Sequence, residues 1–140
     1  MEPSFFQDQY VLVDKLTYHF RSPQRGDVIV FHNPRSPSQL YIKRIIGLPE
    51  EQIEIREGRI YIDGKELEET SDFPQIPYSD NCSVTVPPDH YFVLGDNRNH
   101  SSDSRSLGPI PAENIIGKVW LCYWPPSEWG LSPEYSAALE

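Results

Sequence analysis

Basic residues are scarce in this 140-residue chain: 12 Lys and Arg stand against 21 Asp and Glu, a formal net charge of −9. That shortage excludes duplex nucleic acid as a main partner, because such binding needs a cationic footprint to displace counterions. Long apolar runs are missing too. The best candidate, Ile115 to Trp124, is broken by Lys118 and falls short of the ~18–20 residues a bilayer span requires. No basic stretch followed by an apolar core opens the chain, so the polypeptide as given is expected to be soluble. Cysteine is limited to Cys82 and Cys122, 40 positions apart, too few for a zinc cluster and too distant for a redox CxxC. They read as two ordinary thiols, with a disulfide as the alternative. His19, His32, His90 and His100 lack metal-ligand spacing, and no metal or cofactor is expected.

What the chain has is punctuation. Fourteen Pro and 8 Gly separate short runs of Val, Ile, Tyr and Phe, the pattern of many short strands joined by turns. Strands are predicted at Tyr10–Lys15, Asp27–His32, Leu40–Ile46, Gln52–Arg56, Arg59–Ile62, Ser83–Val86, Tyr91–Leu94 and Ile115–Tyr123. Ile53, Ile55, Ile60 and Ile62 alternate with polar neighbours, as half-buried strands require, and Glu57-Gly58 is a hairpin turn between them. Asp63-Gly64 opens a further turn, and Glu66–Gln75, polar and acidic, reads as an exposed loop. Only Pro111–Asn114 looks helical. The expectation is an all-β, mainly antiparallel, folded-sheet or barrel-like domain with very little helix. It spans residues 1–125, with a tail over 126–140 that carries few strand signals and ends in Leu139-Glu140, read as a cloning remnant.

Two segments could carry chemistry. In Tyr41-Ile42-Lys43-Arg44-Ile45-Ile46-Gly47-Leu48-Pro49, strand alternation points Lys43 away from the face of Ile42 and Arg44. An ammonium in such an apolar run is either an edge-strand charge that discourages aggregation or an amine whose pKa is lowered by desolvation into a usable general base. Gly95–Arg105, Gly-Asp-Asn-Arg-Asn-His-Ser-Ser-Asp-Ser-Arg, follows a strand and reads either as a solvated loop or as a functional one. It fails as a calcium loop, for Ser101 stands where Gly is needed and no Glu closes it. No Gly-x-Ser-x-Gly elbow occurs, so lysine is a better candidate base than histidine.

Taken in order, Met1-Glu2-Pro3-Ser4, Arg25–Phe31, Tyr41–Pro49 and Gly95–Arg105 resemble the successive motif boxes of type I signal peptidases, membrane-anchored serine proteases that remove signal peptides from exported proteins. The resemblance runs from Met1 to about Pro125, and the wording around Phe5–Phe20 is similar to cyanobacterial and thylakoid forms. It implies that Lys43 is the general base, that Ser101 orients it, and that Asp103 with Arg105 and Asp96 with Arg44 are supporting pairs. It further implies that Val11, Val30 and Ile42 line shallow pockets for small side chains at −3 and −1 of an Ala-x-Ala-like cleavage site. The implied partners are exported preproteins and their signal peptides. The implied location is a membrane-anchored parent with its catalytic domain on the extracytoplasmic face, periplasmic or thylakoid-lumenal.

One departure matters. The family's first box reads Ser-Met-x-Pro-Thr, its serine being the nucleophile, whereas this sequence opens at Met1 and has Ser4 in the threonine position. The expectation is that the nucleophile and anchor precede Met1 and that residues 1–140 alone are inactive, since Ser4 occupies the threonine's place in the strand and not the nucleophile's. Two rival readings are a self-cleaving Ser–Lys repressor, disfavoured by the lack of a DNA-binding segment, and a non-catalytic peptide-binding scaffold of the same fold. Trp120, Trp124 and Trp129 are expected either in the core or at a membrane interface.

Overall fold

Short strand-forming runs and tight turns build two antiparallel sheets in the computed structural model, which describes residues 10–69, 76–78, 80–99, 101–124, 130–131 and 137–139, the backbone alone at 10–11, 120–124, 130–131 and 137–139. The expected roles of Ser4 and Trp129 lie outside the described residues. In chain order the elements are β1 (Tyr10–Asp14), α1 (Thr17–Phe20), β2 (Val28–Asn33), β3 (Ser36–Gly47), β4 (Gln52–Arg56), β5 (Arg59–Ile62), β6 (Lys65–Glu69), β7 (Cys82–Thr85), β8 (His90–Leu94), α2 (Ser104–Leu107), β9 (Ile110–Pro111), a 3-10 turn (Ala112–Asn114), β10 (Ile115–Trp124), β11 (Gly130–Leu131) and β12 (Ala137–Leu139). Among the described residues the larger sheet runs β1-β10-β2-β3-β8-β9, with β11 also on β10; the smaller runs β12-β6-β5-β4-β7. No helix among them is long and apolar enough to cross a membrane.

Turn chemistry sets the register of the smaller sheet. Glu57 and Gly58 both have positive φ, as do Asp63 and Gly64, the mirror-image turn geometry that matches strand twist. The first closes a hairpin that puts Ile53 opposite Ile62 and Ile55 opposite Ile60, and the second puts Tyr61 opposite Glu66. All four isoleucines are buried, with Ile46, Phe92 and Leu94 of the larger sheet in the same cluster. At ~1.5–3 kcal/mol per fully buried aliphatic side chain, this shared layer is what fastens one sheet to the other. The larger sheet is apolar on both faces: Ile29, Phe31, Ile45 and Val93 cluster on one side, and Val28, Val30 and Val119 on the other.

The structure departs from expectation where apolar periodicity is absent. Glu66–Glu69, read as loop, is strand β6, which pairs with both β5 and β12. Leu67 is its single buried apolar residue, too little to produce a pattern, so the Asp63-Gly64 turn and flanking strands impose the conformation. The tail likewise adds β11 and β12, held by pairing rather than by their own propensity. The two four-residue helices were unforeseen because short-range side-chain hydrogen bonds rather than apolar periodicity shape them: Asp14, ahead of α1, accepts from Leu16 N and Thr17 N, and Asp103 caps α2 by accepting from Arg105 N.

Candidate active site

The site forms where β8 parts from β3. Strand β3 is paired with β2 along its length, Ile29 facing Lys43 and Val30 facing Ile42. On its other side β8 begins to pair only at Arg44, opposite Leu94. The chain leaves β8 at Gly95 and folds back, bringing Ser101 over Lys43, 58 residues away in sequence. Lys43 Nζ donates to Ser101 Oγ at 2.9 Å and lies 5.5 Å from the centre of the Tyr41 ring. Burial holds the Lys43 amine below the usual lysine range; Asp103 and Asp96 pull it upward and Arg105 pushes it down. A part-buried amine with lowered basicity, held by a hydroxyl, is chemically able to accept a proton as a general base.

Gly95 makes the arrangement possible. A Cβ there would lie 1.9 Å from Ser101 Oγ, 2.5 Å from Ser101 Cβ and 3.4 Å from Lys43 Nζ. The residue belongs to the motif read in the sequence, but no role was attached to it there. Its signal was a glycine directly after an apolar strand, where another chain segment must approach closely.

Two ion pairs frame the loop. Arg44, fully buried, grips Asp96 in a bidentate fork, Nε to Oδ1 and Nη2 to Oδ2, both 2.9 Å, and its Nη1 donates to Gly26 O at 2.9 Å. Asp103 accepts from Arg105 Nε and Nη2, both 2.9 Å, and from Gly95 N at 3.0 Å. Burial works to raise the Asp103 pKa, yet the Arg105 and Gly95 hydrogen bonds outweigh it and leave the carboxyl below its ordinary value. The loop is therefore no solvated segment: Asp96, Arg98, Asp103 and Ser104 are all buried.

Val30 and Ile42 sit directly across from one another and share a cluster with Val28, Val119, Val13 and Ile116. Strand alternation puts them on the face opposite Lys43, and the apolar residues sharing the lysine's face are Ile29, Tyr41 and Ile45. Val11 lies on β1, backbone-paired with Cys122, at positions whose side chains are not described. Cys82 carries a free thiol. Among the described residues, no group of three or more His, Cys, Asp or Glu is placed to hold a metal ion.

Residues 1–124 match the family described as signal peptidase, peptidase S26. A signal peptidase I from Leptolyngbya laminosa is 41% identical over 147 residues, covering 96% of this chain and 71% of the relative. Probable signal peptidase I-1 of Synechocystis sp. is 40% identical over 137 residues, 93% of this chain and 69% of the relative. Thylakoidal processing peptidase 1 of Arabidopsis thaliana is 34% identical, covering 91% of this chain and 40% of the relative. Among solved structures, a signal peptidase I from Enterococcus faecalis superposes with a TM-score of 0.59 at 34% identity, over 70% of this chain and 97% of that one.

Proposed function

The chain belongs to the signal peptidase family, peptidase S26, and on that premise we propose that Lys43 is the general base of a Ser–Lys pair that cleaves signal peptides from exported preproteins. It is a type I signal peptidase, a hydrolase with cyanobacterial and thylakoidal relatives. The observation that carries the finer reading is the 2.9 Å contact between the part-buried Lys43 amine and Ser101.

In this reading the nucleophile is a serine immediately ahead of Met1, on a segment that also leads to a membrane anchor on the extracytoplasmic side. The substrate's Ala-x-Ala-like segment lies extended along β3, whose residues before Arg44 have β2 on one side and no strand opposite among the described residues. Val30 and Ile42, with Val11, line the pockets that admit only small side chains. Neutral Lys43 takes the serine proton as the hydroxyl oxygen attacks the scissile carbonyl carbon. The tetrahedral intermediate collapses, the C–N bond breaks, and Lys43 returns the proton to the leaving amine. Water, deprotonated by the same lysine, then hydrolyses the acyl-serine ester. Ser101 keeps Nζ aimed, while the Asp96–Arg44 and Asp103–Arg105 pairs fix the loop that carries it.

The test compares three polypeptides on an Ala-x-Ala signal-peptide substrate: residues 1–140, the same chain with a serine added before Met1 within its upstream segment, and that longer chain with Lys43→Ala. Cleavage by the second alone is expected. If the Lys43→Ala chain cuts at the full rate, Lys43 is not the base. If the extended chain binds the peptide without cutting, the domain is a peptide-binding scaffold.

A further inference from the structure

Ser101 is held by a loop, and the loop is tied to the other sheet. At one end Asp96 is anchored on Arg44; at the other Asp103 is anchored on Gly95 N. Between them Arg98 is 1% exposed, and its guanidinium forks onto Glu69 at the end of β6, Nη1 to Oε2 at 2.8 Å and Nη2 to Oε1 at 2.7 Å. A second tie follows Ser101, where Arg105 Nη1 donates to Asp80 Oδ2 at 3.1 Å. An open pocket of about 350 Å³ adjoins the loop, with Asp80, Cys82, Arg98, Ser101 and Arg105 among its lining residues.

We propose that Glu69, acting through Arg98, is a positioning residue for signal-peptide cleavage: it holds the loop so that Ser101 Oγ stays against Lys43 Nζ. A bidentate carboxylate–guanidinium pair fixes orientation as well as distance. With a side-chain exposure of only 15% at Glu69 and 1% at Arg98, salt screens it little. Arg98 precedes Ser101 by three residues, so the hydroxyl lies within ~10 Å of chain from the fork. The pocket leaves Arg98 and Ser101 unpacked on one side, room into which the loop can shift once the fork is loosened. The smaller sheet supplies no member of the Lys43–Ser101 pair, yet through this fork it determines where that pair meets.

The inference rests on Lys43 being the base. The charged groups facing Lys43 are Asp103, Arg105 and Asp96, and a change at Glu69 alters none of them. In the serine-bearing chain, Glu69→Gln removes the charge and one acceptor at nearly constant size. It is expected to lower kcat about 10- to 100-fold, the scale of a misplaced catalytic group. KM should stay within about twofold, since Val30 and Ile42 are far in the topology from β6. Loosening the loop also hydrates Lys43, so the acid limb of the kcat/KM profile should move to higher pH. The ¹³Cε titration of Lys43, which needs no turnover, should move the same way. Glu69→Asp, which keeps the charge but shortens the reach, should fall between the two and serves if Glu69→Gln does not fold. A variant that melts earlier but keeps kcat and the Lys43 titration unchanged overturns the proposal, leaving Glu69 a structural residue. If the unsubstituted chain does not cleave, the peptidase reading fails by itself, and the Lys43 titration alone decides the clamp.

Discussion

Gly95→Ala isolates the contact on which the chemistry depends. The added Cβ would sit 1.9 Å from Ser101 Oγ, and such contacts are essentially never closer than 3.0 Å, so the hydroxyl must move by at least about 1 Å. Gly95 is outside the left-handed backbone region, so alanine brings no conformational strain there. Restricting the unfolded chain would even add ~0.4–1 kcal/mol of stability, offsetting part of the clash. A 1 Å misplacement of a catalytic group lowers the rate about 100-fold, equivalent to ~2.7 kcal/mol of barrier. The expectation is therefore a large loss of kcat in the serine-bearing chain with a melting temperature changed by only a few degrees. The assay is initial-rate cleavage of a signal-peptide substrate beside a thermal melt. Ser101→Gly removes both atoms the new methyl would strike, and in that background Gly95→Ala should cause no further loss, a non-additivity expected of groups sharing one space. Gly95→Ala retaining half of the normal kcat, or losing activity independently of Ser101, would refute the reasoning.

Two further outcomes can be read on residues 1–140 by denaturant unfolding, without turnover. Asp96→Asn leaves the buried Arg44 guanidinium opposite a neutral amide and should destabilise by about 3–5 kcal/mol at any salt concentration, whereas removing the exposed Arg59–Glu66 pair should change stability by under ~1 kcal/mol. Equal losses at the two sites would contradict the burial argument. Lys43→Met should stabilise the fold at neutral pH by on the order of 1 kcal/mol, because it removes an amine that burial disfavours in its charged form. The sign follows from linkage: the folded-state pKa lies below the unfolded value near 10.5, so the unfolded chain holds more protons between the two, and native stability rises with pH across that window. The advantage of Lys43→Met should therefore shrink as pH approaches 10.5, and an advantage independent of pH would mean that Lys43 is not strained by burial.

The elements legible in the sequence are those whose cause is local. The β4–β5 hairpin follows from two alternating isoleucine pairs around Glu57-Gly58, and both the alternation and the turn occupy adjacent residues. Strand β6 was invisible because a lone leucine has no period, and its pairing partners are supplied by the rest of the sheet. Lys43 stood out only as a charge in an apolar run. What gives it a partner is the β3–β8 register, a long-range pairing that puts Gly95 and then Ser101 beside it.

Composition concealed the remaining part of the site. The acidic excess argued against a nucleic-acid partner, which treats carboxylates as surface charge. Several of them are spent inside instead, each against an arginine. Asp96 is buried on Arg44, Asp103 on Arg105, and Glu69 on Arg98, with side-chain exposures of 0%, 0% and 15%. Arg98 in Gly95–Arg105 has the same local sequence character as an arginine in a solvated loop. Its burial is set by Glu69, 29 positions earlier and on the other sheet. Buried guanidiniums require paired carboxylates, since an uncompensated buried charge would cost several kcal/mol. An arginine-bearing polar loop that follows an apolar strand in an acidic chain therefore calls for a search of distant carboxylates before it is assigned to solvent.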